Sequence, residues 1–417
     1  MQRPIYIPLL PQEVFSALYA IPGAILLETQ KTSLHDQYSF IAWEPEKIFR
    51  GAVDEATKEA FFAFIDRYSD VDFLAGYIGY EACQWIENLP LPGKKDSPNP
   101  HIYLGAYPTF LAFNHSLHTW TVWEREDKSS LPKFVPQKSR SGSGQIIGTN
   151  QTGKQYMANV HRVLDYIGAG DVYQINYTQR FYFAYSGDPF GLYLRLREVQ
   201  PVAYGAFINT GDGFVVSGSP ELFLRIKGDS VLTKPMKGTR KRSHDPIHDE
   251  QLAWELRTSQ KDQAENVMIV DLMRNDIGRF CQFGSIRVPK LYEVEPYNTV
   301  YQMVSHITGS ARNNIRRSDI IRSVFPAGSI TGAPKKRAME IIYELEPHQR
   351  GVYCGTIGYF FKDEMVLNVA IRTIELADKV GVLGVGGGIV ADSDPEKEYE
   401  ESLIKAKATM IALGIDL

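Results

Sequence analysis

Apolar side chains recur at helical spacing shortly after a polar stretch at residues 124–151. The positions are Tyr156, Val160, Val163, Leu164 and Ile167, each of which has another of the set three or four residues away. This period predicts an amphipathic helix from Tyr156 to Ala169. Gly168 and Gly170 supply the signal that ends it.

Short apolar runs broken by turn residues predict strands over much of the chain. After the first helix they lie at residues 204–208, 214–217, 222–226 and 231–233, and nearer the end at 356–361, 366–372 and 380–385. The first four runs are separated by turn segments such as 211–213 (GDG), so they predict a meander. The N-terminal part also contains strand-like aromatic runs, at 73–80 and 107–113.

Longer stretches between these runs predict further helices. Residues 249–273 are expected to form one long helix, and a second is expected from Pro334 to about Glu344. The final helix has the clearest start, with Asp394 as N-cap, Pro395 at the first position and Glu396 in the first turn. Strands and helices grouped in this way predict an α+β fold rather than a regular βαβ chain.

Length and composition narrow the class of protein. The chain has 417 residues and a formal net charge of −4, from 45 basic and 49 acidic side chains. This balance argues against a dedicated nucleic-acid binder. Three scattered cysteines give no sign of a disulfide framework or zinc site. The absence of signal-peptide and membrane-span patterns leads us to expect a cytoplasmic protein with no membrane or nucleic-acid partner.

A polar, Gly- and Ser-rich segment suggests how the chain is divided. It begins near Glu124 and continues through residues 138–144 (KSRSGSG), which is composition typical of a linker. We therefore expect an N-terminal region at 1–125, a linker at 126–151 and a catalytic domain at 152–417.

Three carboxylates suggest a site for a hard cation. Glu398 and Glu401 are three residues apart on the last predicted helix and share one face, and Glu265 lies on the predicted long helix. Mg²⁺ binds oxygen ligands and typically takes one or two carboxylates together with substrate oxygens. Spacing alone is equally typical of a solvated acidic helix face.

Lys237 lies in a markedly basic segment, in which five of the nine residues 234–242 (KPMKGTRKR) are basic. A buried lysine beside other cations has a lowered pKa and can act as a nucleophile or base. A solvated turn and a phosphate-binding patch remain alternative interpretations of the same pattern.

Glycine-rich backbone and one arginine complete the candidate chemistry. Gly386, Gly387 and Gly388 lie in an apolar strand-like run, where glycine often marks close approach of a ligand or another backbone. Residues 328–334 (GSITGAP) precede a helix but do not match the P-loop spacing. Arg372 ends an apolar strand and could bind a carboxylate with two hydrogen bonds. Turn chemistry and surface charge explain each feature equally well on its own.

Taken together, these segments resemble the chorismate-utilising enzymes. The matching stretches follow in family order: 170–176 (GDVYQIN), 219–223 (SPELF), 235–240 (PMKGTR), 270–276 (VDLMRND), 326–335 (PAGSITGAPK), 351–355 (GVYCG) and 398–402 (EYEES). Residues 25–29 (ILLET) and 76–80 (GYIGY) match more loosely. The resemblance implies a two-lobed antiparallel β-sandwich with helices outside and an active-site cleft between the lobes.

At two positions the chain resembles the aminodeoxychorismate synthase branch of this family. Its component I subunits carry lysine at the position of Lys237, where anthranilate synthases carry alanine. Isochorismate and salicylate synthases use a lysine where this chain has Gln174. The resemblance implies amination of chorismate to 4-amino-4-deoxychorismate, on the route to p-aminobenzoate and folate.

The resemblance also implies roles for individual residues. Lys237 would attack C2 of the substrate ring, and Glu221 would be the acid or base near the leaving hydroxyl. Mg²⁺ would be held by Glu265, Glu398 and Glu401. Family substrate contacts match a further set: Gly238, Thr239, Ser329, Tyr353, Arg372, Gly386, Gly387 and Gly388.

The implied partners are chorismate, a separate glutamine amidotransferase subunit that supplies ammonia, and a separate aminodeoxychorismate lyase. Two departures from the family pattern are Gln302, where many members have histidine, and Thr29, where a tryptophan-pocket motif usually ends in serine. Two rival functions remain: an anthranilate synthase component I, and a non-catalytic subunit that only binds the amidotransferase. Lys237 and Gln302 argue against the first, and the intact set of carboxylates argues against the second.

Overall fold

The computed structural model describes residues 2–87, 89, 93–125, 131–297 and 300–415. Its strands, numbered along the chain, are β1 (Gln2–Ile5), β2 (Ile25–Glu28), β3 (Tyr38–Ala42), β4 (Lys47–Gly51), β5 (Phe73–Ile78), β6 (Ile102–Tyr107), β7 (Thr109–Asn114), β8 (Thr119–Glu124), β9 (Gly144–Thr149), β10 (Gln174–Tyr185), β11 (Tyr204–Asn209), β12 (Phe214–Ser219), β13 (Leu222–Lys227), β14 (Ser230–Lys234), β15 (Met236–Lys241), β16 (Arg287–Pro296), β17 (Val300–Ser310), β18 (Gly332–Ala333), β19 (Thr356–Phe361), β20 (Glu364–Asn368), β21 (Thr373–Ala377) and β22 (Val380–Ile389).

The helices are α1 (Pro11–Ser16), α2 (Glu55–Tyr68), α3 (Gln84–Glu87), α4 (Gly153–Gly168), α5 (Pro189–Val199), α6 (Pro246–Thr258), α7 (Gln260–Gly278), α8 (Arg317–Val324), α9 (Lys335–Leu345) and α10 (Pro395–Leu413). Two short 3₁₀ turns, Tyr80–Cys83 and Gly328–Ile330, lie between them. Among the described residues, no helix is both long enough and apolar enough to cross a membrane.

The strands form two large antiparallel sheets. The first has the order β1-β8-β7-β3-β2-β11-β12-β21-β22-β10-β18, with β9 also paired to β10. The second has the order β15-β17-β14-β13-β20-β19-β5-β6-β4, with β16 also paired to β17. The predicted α+β class and the antiparallel two-sheet sandwich are therefore confirmed.

Apolar packing arranges the sheets and helices in layers. One core joins the two sheets face to face and includes Ile25 of β2, Tyr77 of β5 and Ile208 of β11. A second core covers the outer face of the first sheet with α1, α5 and α10, and a third covers the outer face of the second sheet with α2, α7, α8 and α9. Each sheet thus buries both faces, which a chain of this length can fill.

Several local predictions are confirmed because the signals act within one element. The helix predicted from Tyr156 is α4, with Tyr156, Val160 and Val163 buried, and it begins with a Thr152 cap. The last helix begins as expected, since the Asp394 side chain accepts hydrogen bonds from the backbone of Glu396 and Lys397. The four strands predicted at residues 204–233 are present, but the predicted meander is wrong, because β11 and β12 form a hairpin in the first sheet whereas β13 and β14 form one in the second. The chain crosses from one sheet to the other between β12 and β13, a change of sheet that no local signal predicts.

The prediction of one helix over residues 249–273 is wrong. The segment is two helices, α6 and α7, which meet at Ser259. Ser259 has extended backbone angles (φ −65°, ψ 108°), and its side chain accepts a hydrogen bond from the backbone of Asp262. Serine competes with the helix for backbone groups and is favoured as an N-cap, so it can end one helix and start the next.

The predicted division of the chain remains a prediction, but strands from both parts share each sheet. In the first sheet β2 pairs with β11, and in the second β5 pairs with β19. Within the predicted linker, residues 144–149 form β9 on the edge of β10, whereas residues 126–130 lie outside the described residues.

Candidate active site

Lys237 lies in a closed position between the two sheets. It is the second residue of β15 and pairs with Met303 of β17 in the second sheet. Its ammonium donates a hydrogen bond to the backbone oxygen of Ser329 at 3.3 Å. A side chain at Gly388 of β22, in the first sheet, would begin 3.2 Å from the same nitrogen, so glycine there leaves space in front of Lys237.

Burial lowers the pKa of Lys237, and the nearby Lys405 ammonium lowers it further against the opposing carboxylates of Glu265 and Glu221. The sequence suggested that basic neighbours in the same segment would supply this repulsion. The structure pairs two of these neighbours with acids instead: Arg240 contacts Asp262 at 2.8 Å and Arg242 contacts Asp249 at 2.6 Å. Desolvation, rather than repulsion from basic neighbours in the same segment, is therefore the main cause of the lowered pKa of Lys237.

Glu221 lies in the turn between β12 and β13 and is almost completely buried. Burial raises the pKa of Glu221 to about 7, although the Ser329 hydroxyl, Lys237 and Arg372 each lower it. A carboxyl group in this state can hold a proton near neutral pH and release it within the site.

Several buried polar atoms around Lys237 have no hydrogen-bond partner among the described residues. Both side-chain atoms of Gln174 are in this state, together with Asn176 Nδ2 and Asn266 Nδ2. The Gln174 amide nitrogen lies 2.4 Å from the point where a side chain would begin at Gly388. Because buried polar groups are normally satisfied, this set is typical of a site that receives a polar ligand.

The three predicted metal ligands come from two helices. Glu265 lies on α7, and Glu398 and Glu401 lie on the first two turns of α10. A side chain added at Gly387 of β22 would begin 3.3 Å from Lys405 Nζ, 3.5 Å from Glu398 Oε2 and 3.7 Å from Glu401 Oε1. Burial raises the pKa of Glu265 and of Glu398, whereas the Lys405 ammonium lowers the pKa of Glu401.

The donor chemistry of these residues fits a hard cation, since all three are carboxylates: Glu398 is buried, Glu265 is half-buried and the Glu401 side chain is 51% exposed. The Lys405 ammonium lies 2.6 Å from Glu401 and supplies a positive charge beside these carboxylates. The carboxylates are not closely gathered, however. Among the described residues, one set of three possible metal-ligating side chains has its ligand atoms within 4.8 Å of one another. It consists of Glu293, Glu295 and His306 and does not include the predicted ligands. His306 contacts both acids, Glu293 at 3.4 Å and Glu295 at 3.5 Å.

Arg372 is held in an unusual conformation beside Glu221. Its φ of 53° is in the left-handed region, which is rare for a residue other than glycine. Burial lowers the pKa of Arg372 to about 10. The side-chain oxygen of Gln200, just after α5, accepts hydrogen bonds from its Nη1 and, at 3.2 Å, from its Nε.

The remaining predicted contacts lie at different distances from this centre. Gly238 has a φ of 77°, and a side chain there would begin 2.9 Å from Asp262 Oδ1 and from Leu256 Cδ1, so α6 and α7 pack closely on this turn. Thr239 follows it and pairs with Gln302. The Tyr353 ring packs against Gly384 of β22, about 13 Å along the strand from Gly388.

Sequence reasoning missed Lys405 and Gln200. Lys405 is four residues from Glu401, a spacing that favours an ion pair on a helix, so this contact was open to prediction. Gln200 is 172 positions from Arg372, and nothing local indicates that they touch.

A separate cavity of about 360 Å³ lies where strands from the N-terminal and C-terminal parts of the chain meet. It is lined by the motif residues Leu27, Glu28 and Thr29 and by the charged side chains of Asp36 and Arg225. The Thr29 hydroxyl donates to the backbone oxygen of Tyr38 at 2.9 Å. Threonine thus occupies the position of the usual serine while its hydroxyl is bound to the protein itself.

Proteins similar to this chain in sequence carry two different names. Aminodeoxychorismate synthase component 1 of Escherichia coli (strain K12) is 40% identical over 336 residues, which is 79% of this chain and 74% of that protein. Anthranilate synthase component 1 of Thermus thermophilus is 38% identical over 379 residues, or 86% of this chain and 82% of that protein. Overall identity therefore separates the two branches poorly.

The fold comparison agrees with the sequence comparison. The crystal structure of anthranilate synthase component I from Streptococcus pneumoniae TIGR4 superposes with a TM-score of 0.78 at 28% identity, covering 91% of this chain and 93% of that one. The model of the chorismate binding enzyme family matches residues 23–411, a span that includes every residue of the site around Lys237. The chain therefore belongs to the chorismate binding enzyme family.

Proposed function

We propose that this protein aminates chorismate to 4-amino-4-deoxychorismate, the step that leads to p-aminobenzoate and folate. The observation that carries the proposal is Lys237, a buried amine with a lowered pKa that faces open space at Gly388. Relatives that bear the name aminodeoxychorismate synthase component 1, including those of Escherichia coli and Bacillus subtilis, support it.

The chemistry divides one displacement into two steps. In the first, the neutral Lys237 amine forms a bond to ring carbon C2, the ring double bonds shift, and the C4–oxygen bond breaks. Glu221 protonates the departing hydroxyl, which leaves as water. In the second, ammonia forms a bond to C4, the double bonds shift back, and the C2–nitrogen bond to Lys237 breaks. The sum is chorismate plus ammonia giving 4-amino-4-deoxychorismate plus water.

The charges around the reacting atoms suit these roles. Lys237 must be neutral to attack, and burial favours that form. Glu221 must hold a proton, and a pKa of about 7 allows this near neutral pH. Arg372 lies beside Glu221, where it can bind a substrate carboxylate, and Ser329, the Gly238–Thr239 turn and the Gly386–Gly388 backbone would complete the substrate contacts. Tyr353 would act from the middle of β22, where its ring packs against Gly384.

We further propose that Glu265, Glu398 and Glu401 hold Mg²⁺. The ion would neutralise the substrate carboxylate that enters beside these acids. Replacing each by glutamine keeps its size and removes its charge, so Mg²⁺ dependence should weaken and activity should fall strongly while thermal unfolding changes little. Glu400→Gln, at an exposed neighbouring position on α10, is the matched control. Wild-type Mg²⁺ titration curves in all three variants would contradict the assignment.

Ammonia must be supplied to this reaction, and the name component 1 in the relatives implies a second component. We propose a separate glutamine amidotransferase subunit as its source, in the cytoplasm, with a separate lyase acting on the product. On this basis the chain alone should use ammonium salts but not glutamine.

The experiment that tests the function is product analysis. The purified chain is incubated with chorismate, Mg²⁺ and an ammonium salt, with and without an added aminodeoxychorismate lyase. We expect p-aminobenzoate only when the lyase is present. Fluorescent anthranilate formed without the lyase would instead make the chain an anthranilate synthase, and the absence of any turnover would favour the non-catalytic subunit.

A further inference from the structure

A buried ion pair lies behind the site, outside the set of residues that touches the proposed substrate position. Arg350 and Glu346 are 2% and 5% exposed, respectively. The pair is bidentate, since Arg350 Nε donates to Glu346 Oε2 at 2.9 Å and Nη2 donates to Oε1 at 2.7 Å. A buried pair of this kind is weak evidence for stability, because desolvating two charges offsets much of their attraction. Stability alone therefore does not explain the presence of this ion pair.

The guanidinium of Arg350 also binds two backbone oxygens from distant segments. Nη1 donates to the oxygen of Ile330 at 2.8 Å, and Nη2 donates to the oxygen of Asn176 at 2.7 Å. Glu346 extends the connection, because its Oε1 accepts from the Thr178 backbone at 3.0 Å and from the Thr178 hydroxyl at 2.8 Å. One planar group thus ties the turn at Gly328–Ile330 to β10.

Each segment tied in this way carries a group of the proposed site. Ile330 follows Ser329, whose backbone oxygen accepts from Lys237. Asn176 lies opposite Gly388 in the β10–β22 pairing, and Thr178 lies opposite Gly386. The Asn176 nitrogen also donates to the Thr331 oxygen at 2.8 Å, and β10 pairs with β18. Arg350 therefore adds a side-chain connection to this backbone pairing and helps to set the spacing between the Lys237 partner and the glycine strand.

The backbone of Arg350 is fixed as firmly as its side chain. Glu81, which is fully buried, accepts from the backbone nitrogen of Arg350 at 2.7 Å and from that of Gly351 at 3.0 Å. The guanidinium lies over the ring of Tyr80, 4.5 Å from its centre. A lysine could not replace it, because an ammonium lacks the fixed fork that reaches a carboxylate and two carbonyls together.

We infer that Arg350, held by Glu346, is a positioning residue for the amination reaction: it fixes the Ser329 turn and β10 at the separation that Lys237 and the substrate require. The inference rests on the proposed function. Catalysis depends steeply on such spacing, since a displacement of roughly 1 Å can cost about 100-fold in rate.

The test uses two changes of the full chain, Arg350→Lys and the double substitution Glu346→Leu with Arg350→Met. The double variant leaves no unpaired buried charge, so it should fold, but at a lowered unfolding temperature because the Ile330 and Asn176 oxygens and the Thr178 groups lose their partners. It should also lose about tenfold or more in kcat with ammonium as nitrogen donor, because the two backbone oxygens lose their shared donor. Arg350→Lys should lose a similar factor.

Arg125→Lys is the matched control, because Arg125 also hydrogen-bonds both oxygens of a buried carboxylate, Asp72, at 3.1 and 3.0 Å but lies in the N-terminal region. It should change the unfolding temperature and leave kcat unchanged. Chorismate affinity, measured by calorimetry on the same proteins, gives a reading that does not need turnover. If the double variant keeps both kcat and chorismate affinity within about twofold of wild type, the pair is structural only and the inference fails. A wild-type protein that binds chorismate but forms no 4-amino-4-deoxychorismate would overturn the proposed function instead.

Discussion

At the scale of single residues, the buried amine of Lys237 carries the proposed chemistry. We predict that Lys237→Ala removes most amination and that Lys237→Arg fails equally, because a guanidinium stays protonated and is a poor nucleophile. The measurement is amination rate with ammonium, together with the mass of the Lys237 peptide after reaction of wild type with chorismate. Lys241→Ala, at an exposed position of the same strand, is the control. Near-normal amination by Lys237→Ala would refute the nucleophile.

Glu221 gives a prediction about pH. Burial raises the pKa of Glu221 from 4.5 to about 7, so the proton needed by the leaving hydroxyl is present below that pH and lost above it. At constant free ammonia, the rate should therefore fall as pH rises through about 7, and Glu221→Gln should lower the rate and remove this fall.

The raised pKa of Glu221 also determines how its contribution to stability changes with pH. Because the folded-state pKa of Glu221 is raised, its contribution to the free energy of unfolding is fully present below about 4.5 and is lost as pH rises through about 7. Glu221→Gln should flatten that loss in urea unfolding measured across this window. A pH–rate profile and a stability profile that both match wild type would contradict the assignment of this carboxyl.

At the scale of elements, β22 combines two different uses of glycine. A side chain at Gly386 would begin 2.2 Å from the backbone oxygen of Tyr177, whereas one at Gly388 would meet the movable Gln174 amide and Lys237. We therefore predict that Gly386→Ala lowers the unfolding temperature, and that Gly388→Ala folds normally but loses about tenfold or more in kcat.

Circular dichroism melts and amination rates on the same samples separate the two effects. Gly168→Ala, at the end of α4 with no atom within 4 Å of the added carbon, is the control and should change neither. Equal losses of stability in Gly386→Ala and Gly388→Ala would mean that Gly388 serves packing rather than access to the site.

At the scale of the whole molecule, the two sheets make the N-terminal and C-terminal parts depend on each other. β11 and β19 lose the partners β2 and β5 if residues 1–151 are removed, and the core between the sheets loses Ile25 and Tyr77. We predict that the fragment 152–417 alone shows no cooperative thermal transition, because exposed strand edges and apolar faces favour aggregation over folding. The full chain measured by calorimetry is the reference, and cooperative melting of the fragment would show instead that the C-terminal part folds as its own unit.

Much of the local structure and most of the candidate site followed from the sequence. The cap at Asp394, the amphipathic face of α4 and the hairpins β11–β12 and β13–β14 depend on neighbours within a few positions, so adjacent residues carry their signals. The site residues were found through motifs whose order along the chain is itself specific. The break at Ser259 was missed because a capping serine and a helical serine look alike until the direction of the chain is known.

The sequence alone thus determined the α+β class, the main helices and strands and the identity of Lys237, Glu221 and the carboxylates as candidates. Only the tertiary structure decided that burial and Lys405, rather than the basic residues beside it, lower the pKa of Lys237. It alone joined Gln200 to Arg372 and Arg350 to Ile330 and Asn176, and it interleaved N-terminal strands with C-terminal ones. The physical reason is range. Periodicity, caps and turns act over a few residues, whereas desolvation and shared hydrogen bonds depend on segments that folding brings together from distant positions, 20 apart for Arg350 and Ile330 and 174 apart for Arg350 and Asn176.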